Sequence, residues 1–331
     1  MITPDTPPPP EVDPPPRLES QTESPSDAAP PSSAKPQPTP PPSPWKPYHE
    51  VYGGGPGPWP GELLVAPQVE STALGNRRDI LAWLPDGWDA GTQPLKVVYM
   101  HDGQNLFGGP AGGGGFAGTW GVAEAMAQLA DEGIAAMVVG VCHGKGMRIA
   151  ELSPFKDRRH GGGLGPAYLD FLVDTVKPMV DDHFPTYLEA RSTAMVGSSL
   201  AGLFSLWACV HRGDVFGLCG ALSPSCWYGG RKIKQHLPAS ELQYMRVLGH
   251  RFYVDVGTRE REPADDPAQG FHFGSWRYGV SVKRTVRQLR RGGFVDGENL
   301  RFVEDADAHH HEESWKRRLP DALRFLLTEG A

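Results

Sequence analysis

The sequence contains few cysteines, no long apolar run and no excess of positive charge, and each shortage excludes a class of protein. Four cysteines among 331 residues are too few for a disulfide scaffold, and none stands in a CxxC pair or a spacing typical of zinc ligands. No segment approaches the roughly 18 continuous apolar residues of a membrane span. The net charge of −7, with no stripe of Lys and Arg, argues against a partner made of nucleic acid.

The cysteines themselves are predicted to be structural. They are Cys142, Cys209, Cys219 and Cys226. Three of them lie within or beside apolar runs, where a buried thiol acts as a small apolar side chain. A bridge within residues 209–226 remains open at this stage.

Aliphatic residues are scarce in the first 60 positions, whereas prolines are abundant there. Of the 34 prolines in the chain, 21 fall within residues 1–60, so this segment cannot bury enough apolar surface to offset the entropy lost on ordering. We therefore predict a disordered proline-rich stalk over residues 1–60 and one folded domain over residues 61–331. PxxP matches also occur, but they are unavoidable in so proline-dense a tract, and a spacer is favoured over a ligand for proline-binding domains.

The N-terminus gives two opposite indications of location. It lacks the basic region and apolar core of a signal peptide, which favours the cytoplasm. A proline-rich stalk is typical of exported or surface-displayed domains. The sequence therefore leaves the localisation open.

From residue 61 onward, strand-like and helix-like patterns alternate. Apolar runs of strand length include DILAWLP, LKVVYMH, IAAMVVGV, TAMVG, LCGALS, RFYVDVG and NLRFVED. Helix-like segments with periodic apolar positions separate them, among them WGVAEAMAQLADEG and ESWKRRLPDALRFLLTEG. This alternation predicts an α/β domain with a mostly parallel central sheet flanked by helices. In such a sheet, a site lies beyond the carboxyl ends of the strands.

The stretch TAMVGSSLAGL resembles a nucleophile elbow, in which a serine occupies a strained turn between a strand and a helix. The elbow needs small residues two positions before and two positions after the serine. Ser199 satisfies this rule, with Gly197 before it and Ala201 after it, whereas Ser198 is flanked by bulkier residues. The alternative is an ordinary helix N-cap, a position that serine also favours.

A serine nucleophile needs a base that takes its proton and a carboxylate that orients the base. In this kind of domain the chain order is serine, acid, histidine, each after a strand. RFYVDVGTRERE supplies acids after one strand, and NLRFVEDADAHHHEESW supplies three consecutive histidines after the last. Histidine runs also bind metals, but neighbouring residues of an extended loop point in different directions, so a base is the favoured interpretation for one of them.

Two N–H groups are needed to bind the negative charge that develops on an attacked carbonyl oxygen. The residue after the nucleophile, Leu200, is expected to supply the first. The loop YMHDGQNLF follows an earlier strand, and its glycine allows a sharp turn that directs the main-chain amide of Gln104 inward. Asp102 precedes the serine in the chain, which breaks the expected order, so it is predicted to be a structural turn residue.

These residues and several further stretches resemble the Putative esterase family of α/β-hydrolases. That family includes enterochelin-type siderophore esterases, feruloyl and acetyl-xylan esterases, esterase D and the mycolyltransferases. The resemblance covers residues 65–328 and rests on YMHDGQNLF, WGVAEAM, RIAELSPF, YLDFLVDTVKP, VGSSLAGLFSLW, FGLCGALSPSCWY, YVDVGTRE and AHHHEESWKRRLPDALRFL. It implies an α/β-hydrolase fold and Ser199 as the nucleophile.

The resemblance also implies the partners of Ser199. The family pattern around its catalytic histidine aligns through Glu312 and Trp315, which selects His310 as the base in preference to His309 or His311. The acid of the family follows a G-T-x-[DE] turn, which here is GTRE and implies Glu260. The other acids of this stretch are Glu262 and Asp255, and some siderophore esterases of the family use a Ser-His dyad, so the acid remains the open assignment.

Arg148 and Trp227 match positions near the substrate cleft of the family, where they suit a catecholate or cinnamoyl group. The alternative is a structural arginine and a packed tryptophan.

The expected function is hydrolysis of a small-molecule or carbohydrate-linked carboxylic ester through an acyl-enzyme, which needs no cofactor and no metal. Two alternatives remain, namely an acyltransferase that uses a sugar acceptor and a catalytically silent hydrolase-fold binding module. The acyl and alcohol groups are not indicated by the sequence.

Overall fold

The structure is a computed structural model, and it describes residues 43–53, 59–89, 91, 93–108, 118–261 and 273–328. In this part of the chain a single sheet contains β1 (Lys46–Pro47), β2 (Glu62–Ser71), β3 (Asn76–Leu84), β4 (Lys96–His101), β5 (Ala136–Val141), β6 (Thr193–Ser198), β7 (Leu218–Leu222), β8 (Arg251–Arg259) and β9 (Leu300–His309). The longer helices are α2 (Val122–Asp131), α6 (Leu200–His211), α8 (Ala239–Val247), α9 (Phe273–Arg291) and α10 (Glu312–Leu327).

The shorter helices connect these elements. They are α1 (Tyr48–Tyr52), α3 (Arg148–Glu151), α4 (Gly165–Phe171), α5 (Lys177–Asp181) and α7 (Tyr228–Arg231). A π-helical turn over Leu172–Val176 joins α4 to α5, and a 3₁₀ turn over Gly103–Asn105 follows β4.

The sheet confirms the predicted α/β fold. Its strand order is β1-β2-β3-β5-β4-β6-β7-β8-β9, and β4 to β9 run parallel to one another. The pairs β1–β2, β2–β3 and β3–β5 are antiparallel. The carboxyl ends of β4, β6, β8 and β9 therefore meet along one edge of the sheet, which is where a ligand site is expected.

Buried apolar side chains on both faces of the sheet hold the helices in place. Every residue of β5 and β6 is buried, as expected for parallel strands that are covered on both sides. One apolar cluster contains α4 and α6, and a second contains α2 and α10. All four cysteines are buried and free, so no bridge forms within residues 209–226.

The predicted boundary at residue 60 is wrong, because the folded part begins before it. β1 pairs with β2 through Lys46 and Pro47, and α1 follows directly. Trp45 is buried against Phe184, with ring centroids 5.2 Å apart, and the ring of Tyr48 lies 5.1 Å from that of Trp59. The aromatic residues in PWKPYHEVY supply the apolar surface that the preceding prolines lack. Residues 1–42 of the predicted stalk lie outside the described residues.

In the described part of the chain, no helix combines the length and the apolar character that crossing a bilayer requires.

Candidate active site

Ser199 occupies a strained turn between β6 and α6. Its dihedral angles are φ 56° and ψ −120°, which a residue with a Cβ rarely adopts. Hydrogen bonds from both sides hold it there, since its N–H donates to the Leu222 oxygen at 3.0 Å and its oxygen accepts from the Ser225 N–H at 2.8 Å. A Cβ on Gly197 would lie 2.7 Å from the Cβ of Ala201, so the small residues on both sides are what allow the strand and helix to approach.

The structure brings Ser199, His310 and Glu260 together beyond the ends of β6, β9 and β8. His310 Nε2 lies 2.9 Å from Ser199 Oγ, and His310 Nδ1 lies 2.5 Å from Glu260 Oε2. The Glu260 side chain is fully buried, whereas the imidazole keeps 26% of its surface exposed. An oriented imidazole in contact with a serine hydroxyl can remove the proton of that hydroxyl as the oxygen attacks a carbonyl carbon.

The imidazole is also fixed by two aromatic rings. The Trp315 ring meets His310 edge-on at a centroid distance of 5.0 Å, and the Tyr278 ring lies 5.4 Å away on another side. These contacts restrict the rotation of the ring, so the base keeps its orientation between its two hydrogen-bond partners.

The second oxygen of Glu260 accepts two further hydrogen bonds. Oε1 accepts from the Gly257 N–H at 2.5 Å and from the Ser223 hydroxyl at 2.6 Å. Ser223 Oγ itself accepts from Trp315 Nε1 at 3.1 Å and from Arg318 Nη2 at 3.0 Å. Indole and guanidinium N–H groups only donate, so the single hydroxyl proton of Ser223 must point at Glu260.

The alternative acids do not reach the histidine among the described contacts. Asp255 accepts from the Ser223 N–H at 2.8 Å and from Arg318 Nε at 2.9 Å, and Arg318 also binds Asp305 at 2.9 Å. Asp255 therefore belongs to the network behind Glu260. Glu262 lies outside the described residues.

Asp255 gives a testable dependence of stability on pH. Burial raises the pKa of Asp255 to about 6, against the opposing influence of Arg318 and the Ser223 amide. Between about pH 4 and pH 6 the folded protein then binds more protons than the unfolded chain, so the contribution of Asp255 to the free energy of unfolding falls as the pH rises. We expect the stability of the wild type relative to Asp255→Asn to be greater at pH 4.5 than at pH 6.5 in urea unfolding. A relative stability that increases over this interval would contradict the raised pKa.

The histidines beside His310 have other positions. The His311 side chain caps α10 by accepting from the Glu313 N–H at 3.3 Å, and His309 lies in β9, where it pairs with Arg259 of β8. In the part of the chain that the structure describes, no group of three His, Cys, Asp or Glu side chains is placed to hold a metal ion. The run of three histidines is thus divided among a strand, a base position and a helix cap.

Sequence reasoning missed two hydroxyl groups near the nucleophile. Ser225 Oγ lies 3.2 Å from Ser199 Oγ and 3.2 Å from the Tyr278 hydroxyl. Tyr278 donates to the main-chain oxygen of Ser223 at 2.6 Å. The motif SPSCWY contains Ser223 and Ser225 and could have drawn attention to Ser225. Nothing in the sequence of α9 distinguishes Tyr278 from an ordinary core tyrosine.

The two predicted oxyanion donors lie at the expected edge of the sheet. Leu200 is the first residue of α6, so its N–H has no acceptor within the helix. Gln104 lies in the turn after β4, and its main-chain N–H interacts with the thiol of Cys142.

Arg148 and Asp102 form a pair that the sequence did not indicate. Arg148 Nε and Nη2 bind the two oxygens of Asp102 at 2.8 and 2.6 Å. Asp102 has φ 56° and ψ 46°, in agreement with its predicted place in a turn. Trp227 is half-buried, with the guanidinium of Arg261 5.6 Å from its ring centroid.

Comparisons with known proteins identify a family and several relatives. A family model described as Putative esterase matches residues 71–326. An uncharacterised protein of Bacillus subtilis, YbbA, is 24% identical over 259 residues, which covers 76% of this chain and 93% of the relative.

Two solved structures share the fold at low sequence identity. The siderophore hydrolase EstA from Aspergillus nidulans is 17% identical with a TM-score of 0.61, over 80% of this chain and 94% of that structure. The enterobactin esterase FES from Shigella flexneri is 17% identical with a TM-score of 0.57, over 81% of this chain and 58% of that structure. The chain thus spans little more than half of the second protein.

Proposed function

Because the chain belongs to the Putative esterase family and is therefore a serine esterase, we propose that it hydrolyses a small carboxylic ester through an acyl-enzyme formed on Ser199. The observation that carries this proposal is the contact of 2.9 Å between His310 Nε2 and Ser199 Oγ, made by a serine at a positive φ. An N-cap serine has no need of either feature.

In the proposed reaction His310 removes the proton of Ser199 as Oγ attacks the ester carbonyl. Glu260 accepts from Nδ1 and stabilises the imidazolium, while the N–H groups of Leu200 and Gln104 bind the oxyanion. His310 then gives its proton to the oxygen of the leaving alcohol, and the acyl group remains on Ser199. Water, activated by the same imidazole, releases the acid and restores the serine.

Ser223 is proposed to orient the acid in this scheme. Its hydroxyl proton is committed to Glu260 because Trp315 and Arg318 both donate to its oxygen. Rotation of the Glu260 carboxylate would then break at least one buried hydrogen bond. The network thus holds the oxygen that faces His310 Nδ1.

The choice of acid is tested by two matched amides. We expect Glu260→Gln to lower kcat by about 10³- to 10⁴-fold, because a neutral side chain neither stabilises the imidazolium nor selects the tautomer that leaves Nε2 free. Asp255→Asn should keep kcat within about threefold of wild type, since Asp255 acts behind Glu260. The measurement is kcat on a short aryl ester for both variants. Retention of full activity by Glu260→Gln would favour a Ser-His dyad.

The acyl and alcohol groups are to be identified by a hydrolysis panel. The siderophore hydrolase and the enterobactin esterase share the fold, which supports the inclusion of a catecholate trilactone beside feruloyl, acetyl-sugar and short aryl esters. Added acceptor alcohols in the same assays separate hydrolysis from acyl transfer, because a transferase yields a new ester in place of the free acid.

A further inference from the structure

A cleft rich in arginine is lined in part by Tyr278, whose ring lies 5.4 Å from that of His310. Its volume is about 680 Å³. Five arginines contribute to its lining: Arg159, Arg231, Arg261, Arg277 and Arg284. No aspartate or glutamate of the described residues lines it. This concentration of one charge is notable in a chain whose net charge is −7.

The cleft and the nucleophile are joined through one side chain. Tyr278 lines the cleft, and its hydroxyl lies 3.2 Å from Ser225 Oγ, which in turn lies 3.2 Å from Ser199 Oγ. The same tyrosine ring contacts His310 at 5.4 Å. Arg261 follows the acid Glu260 directly in the chain. Tyr278 therefore links the cleft lining to the groups around Ser199, so the half of a substrate that reaches past Tyr278 would meet the cleft arginines.

Two of the cleft arginines differ from a nearby arginine of α9 in their ion pairing. In the described part of the chain, Arg231 and Arg284 form no ion pair with a carboxylate, whereas Arg290, further along α9, binds Asp296 at 2.6 Å. Guanidinium groups gathered in a concave site repel one another, and a bound anion removes that repulsion. The planar guanidinium also matches the two oxygens of a carboxylate or a phosphate.

Aromatic side chains form the rest of the contact surface. Trp227 and Trp276 line the cleft together with the arginines, and Trp276 is 51% exposed. Arg261 lies over the Trp227 ring at 5.6 Å, so an aromatic and a guanidinium group line the same part of the cleft. These rings can cover the hydrocarbon part of a ligand while the guanidinium groups bind its charge.

We propose that this cleft is a specificity site for esters that carry an anionic group, a carboxylate or a phosphate, on the half of the substrate that extends from Ser199 past Tyr278. This inference rests on the proposed function. It assigns to the arginines the choice of substrate and leaves the bond-breaking step to Ser199, His310 and Glu260.

Two pairs of esters that differ in charge test the proposal. For the acyl half the pair is 4-nitrophenyl hemiglutarate and 4-nitrophenyl valerate, which have the same number of acyl carbons. For the alcohol half the pair is 4-carboxyphenyl butyrate and 4-acetylphenyl butyrate. We expect kcat/KM to favour the anionic ester by about tenfold in at least one pair, and this preference to shrink as salt screens the charges. The favoured pair identifies the half that occupies the cleft.

A double variant and a charge-matched control isolate the cleft. Arg231→Gln with Arg284→Gln removes two guanidinium groups from the lining, whereas Arg246→Gln with Arg287→Gln removes two exposed ones elsewhere, on α8 and α9. The cleft variant should lose about tenfold of the anionic preference and keep its kcat/KM for the neutral ester within about twofold. The control variant should retain the preference.

The outcomes separate this inference from the proposed function. Hydrolysis of the neutral esters with no anionic preference in either pair would overturn the specificity site and leave the esterase assignment intact. An equal loss of preference in the cleft variant and the control would also overturn it, because general charge would then be the cause. Absence of hydrolysis for all four esters would overturn both proposals.

Discussion

Ser199→Ala is expected to abolish ester hydrolysis, with kcat lower by about 10⁵-fold or more, because it removes the proposed nucleophile. The reason is structural: among the residues that the structure describes, Ser199 alone combines a positive φ with a contact of 2.9 Å to His310 Nε2. The measurement is kcat on a short aryl ester at a saturating concentration, with the fold of the variant checked by circular dichroism.

Ser198→Ala is the matched control for this substitution. Ser198 is the last residue of β6, 4% exposed, and its main chain pairs with Leu222. Its removal should lower stability modestly and leave kcat within about threefold of wild type. An inactive Ser198→Ala beside an active Ser199→Ala would reverse the assignment of the nucleophile.

His310→Ala is expected to have the second large effect, a loss in kcat of about 10⁵-fold, since it removes the proposed base for the proton of Ser199. Its control is His309→Ala, which removes the adjacent imidazole of β9 and should leave kcat within about threefold. His311→Ala deletes the cap of α10 and should cost about 0.5–2 kcal/mol of stability with little effect on kcat.

The contrast among the three histidines also tests a metal hypothesis. A site built on the histidine run would need more than one of these side chains, so His309→Ala or His311→Ala would then lose activity together with His310→Ala. Activity that depends on His310 alone agrees with a base. Activity that survives His310→Ala would contradict the mechanism.

The elbow could be predicted from the sequence because its constraints are local. Gly197 and Ala201 stand two positions on either side of Ser199, and the steric reason for their size is the 2.7 Å approach that a larger residue would create. The order of strands and helices could likewise be predicted from the periodicity of apolar residues, because that pattern repeats within a few positions. Both predictions depend on contacts between near neighbours in the chain.

The network around the acid could not be predicted in the same way. Ser223 follows β7, whereas Trp315 and Arg318 lie on α10, and they meet behind Glu260 only because β7, β8 and α10 are adjacent in the fold. Hydrogen bonds of this kind leave no periodic pattern in the sequence. The same holds for the pair of Asp102 and Arg148, which are 46 positions apart.

The N-terminal boundary failed for a different reason. The average composition of residues 1–60 is dominated by proline, so it does not show that Trp45 and Tyr48 can be buried. In the structure these two residues are only 7% and 4% exposed. Two aromatic side chains are enough to fix a short segment on the core when each buries a large apolar area. A boundary drawn at the first aromatic residue would have been closer to the fold.

The most direct test of the central claim is reaction of the purified protein with a fluorophosphonate probe, followed by tryptic digestion and mass spectrometry. The account predicts one adduct per chain, in the peptide of residues 192–212 and on Ser199, with no adduct in Ser199→Ala. An adduct on Ser225, in the separate peptide of residues 213–231, would contradict the account. So would ester hydrolysis that continues undiminished after every Ser199 has been labelled.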